Sequence, residues 1–170
     1  MRYAGLITND FSAAPGVSVS FYTQGCPNRC PHCQNPQTWD FKGGFNFTPE
    51  IIDKIIEALT ANGIQRNLCI LGGEPLCPEN EFLTYLIISN VKEKLPEVKV
   101  YIWTGYVYED LLNHKSPHLS NILDLEHGKI MDIVIKGVGF IRVKKGCVVT
   151  TNVPKKNIEI RESLFGGNHE

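Results

Sequence analysis

Three cysteines within eight residues constrain this chain more than any other feature of its sequence. Cys26, Cys30 and Cys33 follow the spacing C-x3-C-x2-C in the segment GCPNRCPHCQNP. A loop with this spacing can wrap three thiolates around one small inorganic core, and soft thiolates select zinc or iron-sulfur clusters. Pro27 and Pro31 favour a stiff loop over a helix. The sequence therefore predicts a loop that binds a metal ion or a cluster.

The number of clustered thiols separates two kinds of site. A closed structural zinc site wants four ligands, and His32 is a possible fourth, although as the neighbour of Cys33 it would have to fold back. An iron-sulfur cube with three cysteine ligands leaves one iron open for a substrate or cofactor. The other cysteines are scattered: Cys69 is interpreted as a small buried residue, and Cys77 is given no ligand role.

Composition bounds the class of protein. The 170 residues are 42% hydrophobic and 21% charged, which predicts one globular domain over residues 1–170. A net charge of -1 argues against a nucleic-acid partner. No apolar run approaches the roughly 20 residues of a membrane helix, and the first residues lack the pattern of a secretory signal. We therefore expect a cytoplasmic protein with reduced thiols and no membrane partner.

Strands and helices are predicted to alternate along the chain. Strands are predicted at residues 17–23, 67–71, 99–103 and 131–135. Helices are predicted from a cap at Thr48 to Gly63, at residues 79–94 and, more weakly, at 108–113 and 118–125. This order predicts an α/β fold with a mostly parallel sheet. A complete eight-fold barrel needs about 250 residues, so the chain can supply only part of one.

Three motifs follow three of these strands. The cysteine cluster follows the first strand, Gly72-Gly73-Glu74 follows the second, and Thr104-Gly105 follows the third. In parallel sheets of this kind, ligands bind at the carboxyl ends of the strands. The sequence therefore predicts that the three motifs share one functional edge.

This arrangement resembles the radical S-adenosylmethionine enzymes, in which CxxxCxxC binds a 4Fe-4S cluster and a GGE motif holds the methionine amino group. Within that superfamily, the segments QGCPNRCPHCQNPQTWDFKGG, LGGEPLCPEN and YIWTGY resemble the activating proteins of anaerobic ribonucleoside-triphosphate reductases. The resemblance covers most of residues 15–136. It implies a partial (β/α) barrel of the radical S-adenosylmethionine type.

The resemblance also implies roles for individual residues. The implied cluster ligands and catalytic residues are Cys26, Cys30 and Cys33, with the fourth iron open to the amino and carboxylate groups of S-adenosylmethionine. Cys33 is also implied to contact that cofactor. The other residues implied to contact S-adenosylmethionine are His32 and Gln34, near the adenosyl group, and Gly72, Gly73 and Glu74, around the methionine end.

The implied reaction is the reductive cleavage of S-adenosylmethionine to methionine and a 5'-deoxyadenosyl radical. That radical takes a hydrogen atom from a glycine of the large subunit of the anaerobic reductase, which leaves a glycyl radical. Reduced flavodoxin or ferredoxin is the implied electron donor. Three alternatives stay open: activation of another glycyl-radical enzyme, a non-catalytic zinc-binding interaction module, and a damaged activase that no longer docks its partner.

The resemblance fades after about residue 136. In the family the last predicted strand runs into an Asp-Gly pair, and an Arg-Gly-Ser-x-Asn-Gln-Arg segment follows later. Here the strand runs into Lys136-Gly137, and the later segment reads GCVVTTNVPKK. A divergent tail and a change of reading frame in the gene both account for this. The part that residues 137–170 play in docking the reductase is therefore open.

Overall fold

The computed structural model describes residues 1–106, 111, 113 and 116–122, together with the backbone of 133–136, 141–143 and 147–149. Its strands are β1 (Arg2–Asp10), β2 (Val17–Thr23), β3 (Phe45–Asn46), β4 (Arg66–Gly72), β5 (Val100–Trp103), β6 (Ile133–Lys136), β7 (Ile141–Val143) and β8 (Cys147–Val149). Its helices are α1 (Glu50–Thr60), α2 (Glu81–Lys94) and α3 (Pro117–Ile122), with short 3-10 turns at Pro36–Thr38 and Ala61–Gly63.

The described strands form one mixed sheet in the order β3-β1-β2-β4-β5-β6-β8-β7. The five central strands β2, β4, β5, β6 and β8 are parallel neighbours, whereas β1, β3 and β7 pair antiparallel. The α/β class is confirmed. The sheet is mostly parallel, as predicted, but not entirely so, since four of the seven pairings between described strands are parallel and three are antiparallel. The described sheet is open, with β3 and β7 at its two edges, so the predicted partial barrel is not confirmed.

The antiparallel strand β1 was missed by the sequence patterns for a physical reason. The register between β1 and β2 shifts between Tyr3 and Gly5 and again between Ile7 and Asp10. Such irregularities break the strict alternation of buried and exposed positions by which a strand is recognised. Next to the other edge, β8 lies between β6 and β7, within the tail where the family resemblance fades, and its backbone pairs parallel with β6.

Two faces of the sheet bury different amounts of apolar surface. On one face Phe21, Ile70 and Ile102 are fully buried beneath the helices, with Ile55 of α1 and Ile87 of α2 in the same cluster. The other face carries a smaller cluster of Ala13, Ala14, Cys69 and Tyr101. Cys69 is therefore a small buried residue, as predicted from its place in a strand.

The helices agree with their apolar periodicity more closely than with their predicted ends. Helix α1 begins at Glu50, and Thr48 makes no side-chain cap; instead the Thr48 carbonyl accepts a hydrogen bond from the Ile51 N–H at 3.0 Å. Gly63 closes the following 3-10 turn at φ 65°. The predicted stretch at 118–125 is confirmed as far as Ile122, and most of 108–113 lies outside the described residues.

Every described helix lacks the length and apolar character needed to cross a membrane.

Candidate functional site

The carboxyl ends of β2, β4 and β5 bring three segments together at one edge of the sheet. We call them the cysteine loop (residues 24–35), the glycine-glutamate turn (residues 72–76) and the β5 exit (residues 104–106). Thr23 and Gly72 are paired at the ends of β2 and β4, and the Gly73 N–H donates to the Thr23 carbonyl at 2.9 Å. The Glu74 N–H donates to the Gly25 carbonyl at 2.9 Å. The predicted shared edge is therefore present.

The cysteine loop is irregular throughout, as its prolines predict, and backbone hydrogen bonds anchor its first residues. The Gly25 N–H donates to the Thr38 carbonyl at 2.7 Å, and the Cys26 N–H donates to the Trp39 carbonyl at 3.2 Å. Cys30 is exposed and Cys26 is half-buried. The loop thus holds its first thiol against the protein and presents its second to solvent.

Two residues of the cysteine loop adopt a left-handed backbone conformation without being glycine. Arg29 has φ 43° and His32 has φ 60°, one on each side of Cys30. This conformation costs roughly 1 kcal/mol or more for a non-glycine residue. Strain of this kind concentrates at ligand clamps, so the turn around Cys30 is a candidate clamp on physical grounds alone.

Glycines allow the cysteine loop and the glycine-glutamate turn to touch. Gly25 has φ 100°, and a Cβ on it would lie 2.0 Å from a ring carbon of Phe41. A Cβ on Gly73 would lie 2.2 Å from the Gly25 carbonyl oxygen, and Gly72 has φ 104°. Only residues without a side chain fit this contact, because real Cβ atoms do not come so close to other heavy atoms.

Two buried amide side chains stabilise the same junction, and sequence reasoning missed both. The Asn80 Nδ2 donates to the carbonyl oxygens of Gly25 and Glu74, each at 3.0 Å. The Gln24 Nε2 donates to the Asp40 carbonyl at 2.6 Å and to the Gln37 carbonyl at 3.2 Å. Gln24 directly precedes the glycine and cysteine of the motif, which was an available signal. Asn80 directly precedes α2, a position where asparagine indicates a helix cap, and that signal does not point to its contacts with Gly25 and Glu74.

Glu74 lies at the centre of the three segments with its side chain buried. One carboxylate oxygen, Oε1, accepts from the Thr104 hydroxyl at 2.6 Å and the Leu76 N–H at 3.0 Å. The other, Oε2, accepts from the Gly105 N–H at 2.7 Å and the Asn28 Nδ2 at 3.3 Å. An ionised carboxylate offers about four acceptor positions and no donor. These four donors therefore match the charged form of Glu74.

The charge on Glu74 has no compensating cation among the described residues. Burial raises the pKa of this carboxyl above its ordinary value, while hydrogen bonds from Thr104, Gly105, Leu76 and Asn28 act in the opposite direction. Within the described part of the chain, no lysine, arginine or histidine forms an ion pair with it. A buried charge without a partner is costly, so this position favours a cationic ligand.

Other titratable groups surround Glu74. Burial raises the pKa of Tyr106 to about 12, with contributions from the charges of Glu74, Cys77 and Cys26 among others. Burial also raises the pKa of Cys77 to about 12 and that of Cys26 above its ordinary value. Tyr106 and Cys77 therefore keep their protons at neutral pH. Cys77, fully buried, lies beneath the glycine-glutamate turn rather than on the exposed loop.

The structure brings some of the predicted site residues together and leaves others apart. Cys26 and Glu74 lie close enough for the Glu74 charge to raise the Cys26 pKa. His32 and Gln34 are exposed on the cysteine loop. Among the described residues, no three His, Cys, Asp or Glu side chains converge as they would around one metal ion.

The donor chemistry of this edge nevertheless fits an iron-sulfur cluster and a cationic ligand. Cys26, Cys30 and Cys33 are free thiols on one loop, and the cluster that thiolates hold is larger than a single ion. Thr104 and the Gly105 N–H, which sequence reasoning placed at the ligand edge, support Glu74 directly.

Trp103 is partly exposed and donates its indole N–H to the Ala13 carbonyl at 3.0 Å.

Comparison with known proteins assigns the family. A 4Fe-4S single cluster domain family matches residues 13–138. The anaerobic ribonucleoside-triphosphate reductase-activating protein of Enterobacteria phage T4 is 33% identical over 137 residues, which cover 81% of this chain and 80% of the relative. The protein of the same name from Vibrio cholerae is 31% identical over 132 residues, covering 77% and 85%. The one from Salmonella typhimurium is 33% identical over 112 residues, covering 65% and 73%.

The matched region includes the whole of the cysteine loop, the glycine-glutamate turn and the β5 exit. Both the family description and the relatives' shared name agree with the sequence motifs on which the resemblance was based. The chain therefore belongs to the family of anaerobic ribonucleoside-triphosphate reductase-activating proteins.

Proposed function

We propose that this protein is a radical S-adenosylmethionine activase that generates a glycyl radical on an anaerobic, class III ribonucleoside-triphosphate reductase. The observation that carries the proposal is the contact between a loop of three free thiols and a buried carboxylate without a cationic partner among the described residues. The relatives' shared name supports the reductase as the partner.

In this proposal Cys26, Cys30 and Cys33 hold a 4Fe-4S cluster and leave one iron open. The match to a 4Fe-4S single cluster domain supports the cluster, and the three free thiols on one loop are suitable ligands. A cluster held by these thiolates would supply one electron for the reductive cleavage of S-adenosylmethionine to methionine and a 5'-deoxyadenosyl radical, and that radical would take a hydrogen atom from the partner's glycine. The protein contributes binding, orientation and the exclusion of competing reactions.

Glu74 attracts the amino group of S-adenosylmethionine. Its buried carboxylate gains a cationic partner when an ammonium group binds, which offsets the cost of burying the charge. The resemblance assigns Gly72 and Gly73 to the methionine end, and their missing side chains let this turn pack against Tyr22 and the Gly25 carbonyl, which holds Glu74 in place. His32 and Gln34 are exposed on the cysteine loop, and the resemblance places their backbone groups near the adenosyl moiety.

Three further parts of the proposal rest on the family resemblance. Reduced flavodoxin or ferredoxin supplies the electron, and the reaction takes place in the cytoplasm, where thiols stay reduced. The parallel strands β2, β4, β5, β6 and β8 form the wall of a partial barrel around the substrate.

The test is a direct activation assay. The anaerobically reconstituted protein is mixed with the reductase large subunit, S-adenosylmethionine and a reductant, and electron paramagnetic resonance and chromatography then measure the glycyl radical and 5'-deoxyadenosine. We expect both products from the wild type and from Cys69→Ala, whose thiol is buried in the sheet, and neither from Cys30→Ala. Release of 5'-deoxyadenosine without a glycyl radical would overturn the activation of this reductase and leave the cleavage of S-adenosylmethionine intact. Absence of both products from the wild type would overturn the activase.

A further inference from the structure

Asn28 makes the longest of the four hydrogen bonds to the Glu74 carboxylate. Its amide lies 3.3 Å from Oε2, whereas the other three donors lie 2.6 Å, 2.7 Å and 3.0 Å from their acceptor oxygens. All four donors are neutral, and hydrogen bonds to a carboxylate are shorter and stronger when the donor is charged, so a cation would compete best with the longest of the four. Asn28 is therefore the donor that a cation would replace most easily.

The position of Asn28 gives access to the buried carboxylate. Two of the other donors are backbone N–H groups, and the third belongs to buried Thr104, so all three are fixed. Asn28 is exposed, and its Nδ2 would be 2.7 Å from a Cβ on Gly105, which is exposed as well. The amide thus lies against the bare backbone of Gly105. Its movement opens Oε2 to solvent from that side.

We propose that the Asn28 amide occupies the place of a ligand amino group and is displaced from Glu74 Oε2 when that group binds. The inference rests on the proposed function and deepens it, because it assigns this chain's own competitor for the amino group of S-adenosylmethionine. The exchange gives the buried carboxylate a charged donor in place of a neutral one. The released amide turns to solvent, where water satisfies it.

Displacement of Asn28 also couples the ligand to the cysteine loop. Asn28 lies midway between Cys26 and Cys30, so the bond to Glu74 fixes the part of the loop that carries two of the proposed cluster ligands. A ligand that breaks this bond changes the conformations open to the loop. Ligand binding therefore shifts the loop toward conformations that release Asn28. By linkage, those conformations bind the amino group more tightly, by the same factor by which the ligand favours them.

The probe for this inference is S-adenosylhomocysteine, which carries the same amino and carboxylate groups but has no sulfonium to cleave. Isothermal titration calorimetry measures its affinity for the anaerobically reconstituted wild type and for Asn28→Ala. We expect the variant to bind about three- to tenfold more tightly, since one neutral competing hydrogen bond has been removed. The matched thioether that lacks only the amino group should bind both proteins equally.

Two variants serve as controls. Asn90→Ala changes an asparagine whose amide donates to the Leu86 carbonyl within α2, outside the three site segments, and its affinity for both probes should equal that of the wild type. Asn28→Ser is too short to reach Glu74 and should reproduce the gain, which keeps the test valid if Asn28→Ala fails to fold or to bind iron. Iron content, measured for every variant, reports the cluster separately from the ligand.

The possible results distinguish a failure of the Asn28 displacement from a failure of the proposed function. Weaker binding of S-adenosylhomocysteine by both Asn28 variants, unchanged binding, or an equal gain for the thioether without an amino group would overturn the displacement of Asn28 while leaving the activase intact. Failure of the iron-loaded wild type to bind S-adenosylhomocysteine at all would overturn the proposed cofactor, and this inference with it.

Discussion

The α-carbon of Gly73 faces the carbonyl oxygen of Gly25 so closely that a Cβ there would lie 2.2 Å from that oxygen. This contact joins the glycine-glutamate turn to the start of the cysteine loop. The Glu74 N–H donates to the same oxygen at 2.9 Å, and so does the Asn80 amide at 3.0 Å. The Gly25 carbonyl oxygen therefore fixes how the glycine-glutamate turn lies against the cysteine loop.

Gly73→Ala should therefore separate the turn from the loop. The added methyl group meets backbone rather than a flexible side chain, so one of the two segments must shift, at a cost of about 1–3 kcal/mol of stability. We expect the purified variant to retain less iron than the wild type after reconstitution. The ratio of iron to protein, measured after gel filtration, checks this.

Gly5→Ala is the matched control for that substitution. A Cβ on Gly5 meets no atom within 4 Å, and its φ lies outside the left-handed range, so iron retention should equal that of the wild type. Equal iron retention by Gly73→Ala and Gly5→Ala would contradict the close contact.

Asn80→Ala should weaken the same junction by removing a donor. Two buried carbonyl oxygens, those of Gly25 and Glu74, lose a hydrogen bond, and we expect a loss of about 1–3 kcal/mol in the free energy of unfolding. Urea denaturation measures it. Asn90→Ala is the control, because its amide donates only to the Leu86 carbonyl one turn back in α2. A loss no larger than the control's would show that Asn80 does not stabilise the junction.

The buried strands could be predicted from the sequence, and β1 could not. Strand β2 was predicted at residues 17–23 and spans Val17–Thr23, because its alternating pattern ends in a clear turn signal. Strand β4 extends the predicted range by one residue at each end. Strand β1 has two register shifts and many half-buried positions, so no pattern of period two is visible in its sequence.

Residues of the site could be predicted where a motif of neighbouring residues marks them, and not where the contact joins distant parts of the chain. Glu74 was predicted from a motif of neighbouring residues. Asn28 and Asn80 were not, because their hydrogen bonds join residues 46 and 55 positions apart in the chain. The sequence also leads one to expect Glu74 to be free for an ammonium group, whereas the folded chain already supplies it with donors. Only the folded structure shows that both carboxylate oxygens already accept hydrogen bonds.

Thiol reactivity should follow burial across the described cysteines. In the protein without its cluster, exposed Cys30 should be alkylated by iodoacetamide well before Cys77, which is fully buried and whose pKa burial raises to about 12. Cys26 should react slowly at neutral pH and faster as the pH rises, because burial raises its pKa and the thiolate is the nucleophile. Mass spectrometry of tryptic peptides over time gives the order.

The same alkylation is repeated after reconstitution with iron and sulfide. The cluster should then protect Cys26, Cys30 and Cys33 together. Protection of only one or two of the three would contradict the proposed ligand set.

Asp10 predicts a pH dependence of stability away from the site. Burial raises its pKa, but hydrogen bonds from Ser20 and Ser12 outweigh burial and hold the pKa below the ordinary 3.8. A carboxyl whose pKa is lowered by folding stabilises the folded state above its ordinary pKa and loses that contribution as the pH falls through the lowered value. Asp10→Asn should therefore cost about 1–2 kcal/mol at pH 7 and less below pH 4.

Urea denaturation between pH 3 and pH 7 measures this difference, on protein without its cluster because acid dissolves iron-sulfur clusters. Asp53→Asn is the control, since Asp53 is exposed and its 3.6 Å ion pair with Lys94 lies in solvent. If the difference between wild type and Asp10→Asn were the same at every pH, the hydrogen bonds would not be acting on the charged form.

Electron paramagnetic resonance of the anaerobically reconstituted and reduced protein tests the central claim most directly. We predict a reduced 4Fe-4S signal that changes when S-adenosylmethionine is added, because one iron is open to it. The signal should persist in Cys69→Ala and be lost in Cys30→Ala. A colourless protein that takes up zinc instead, or a cluster signal that S-adenosylmethionine leaves unchanged, would contradict a 4Fe-4S cluster with one iron open to S-adenosylmethionine.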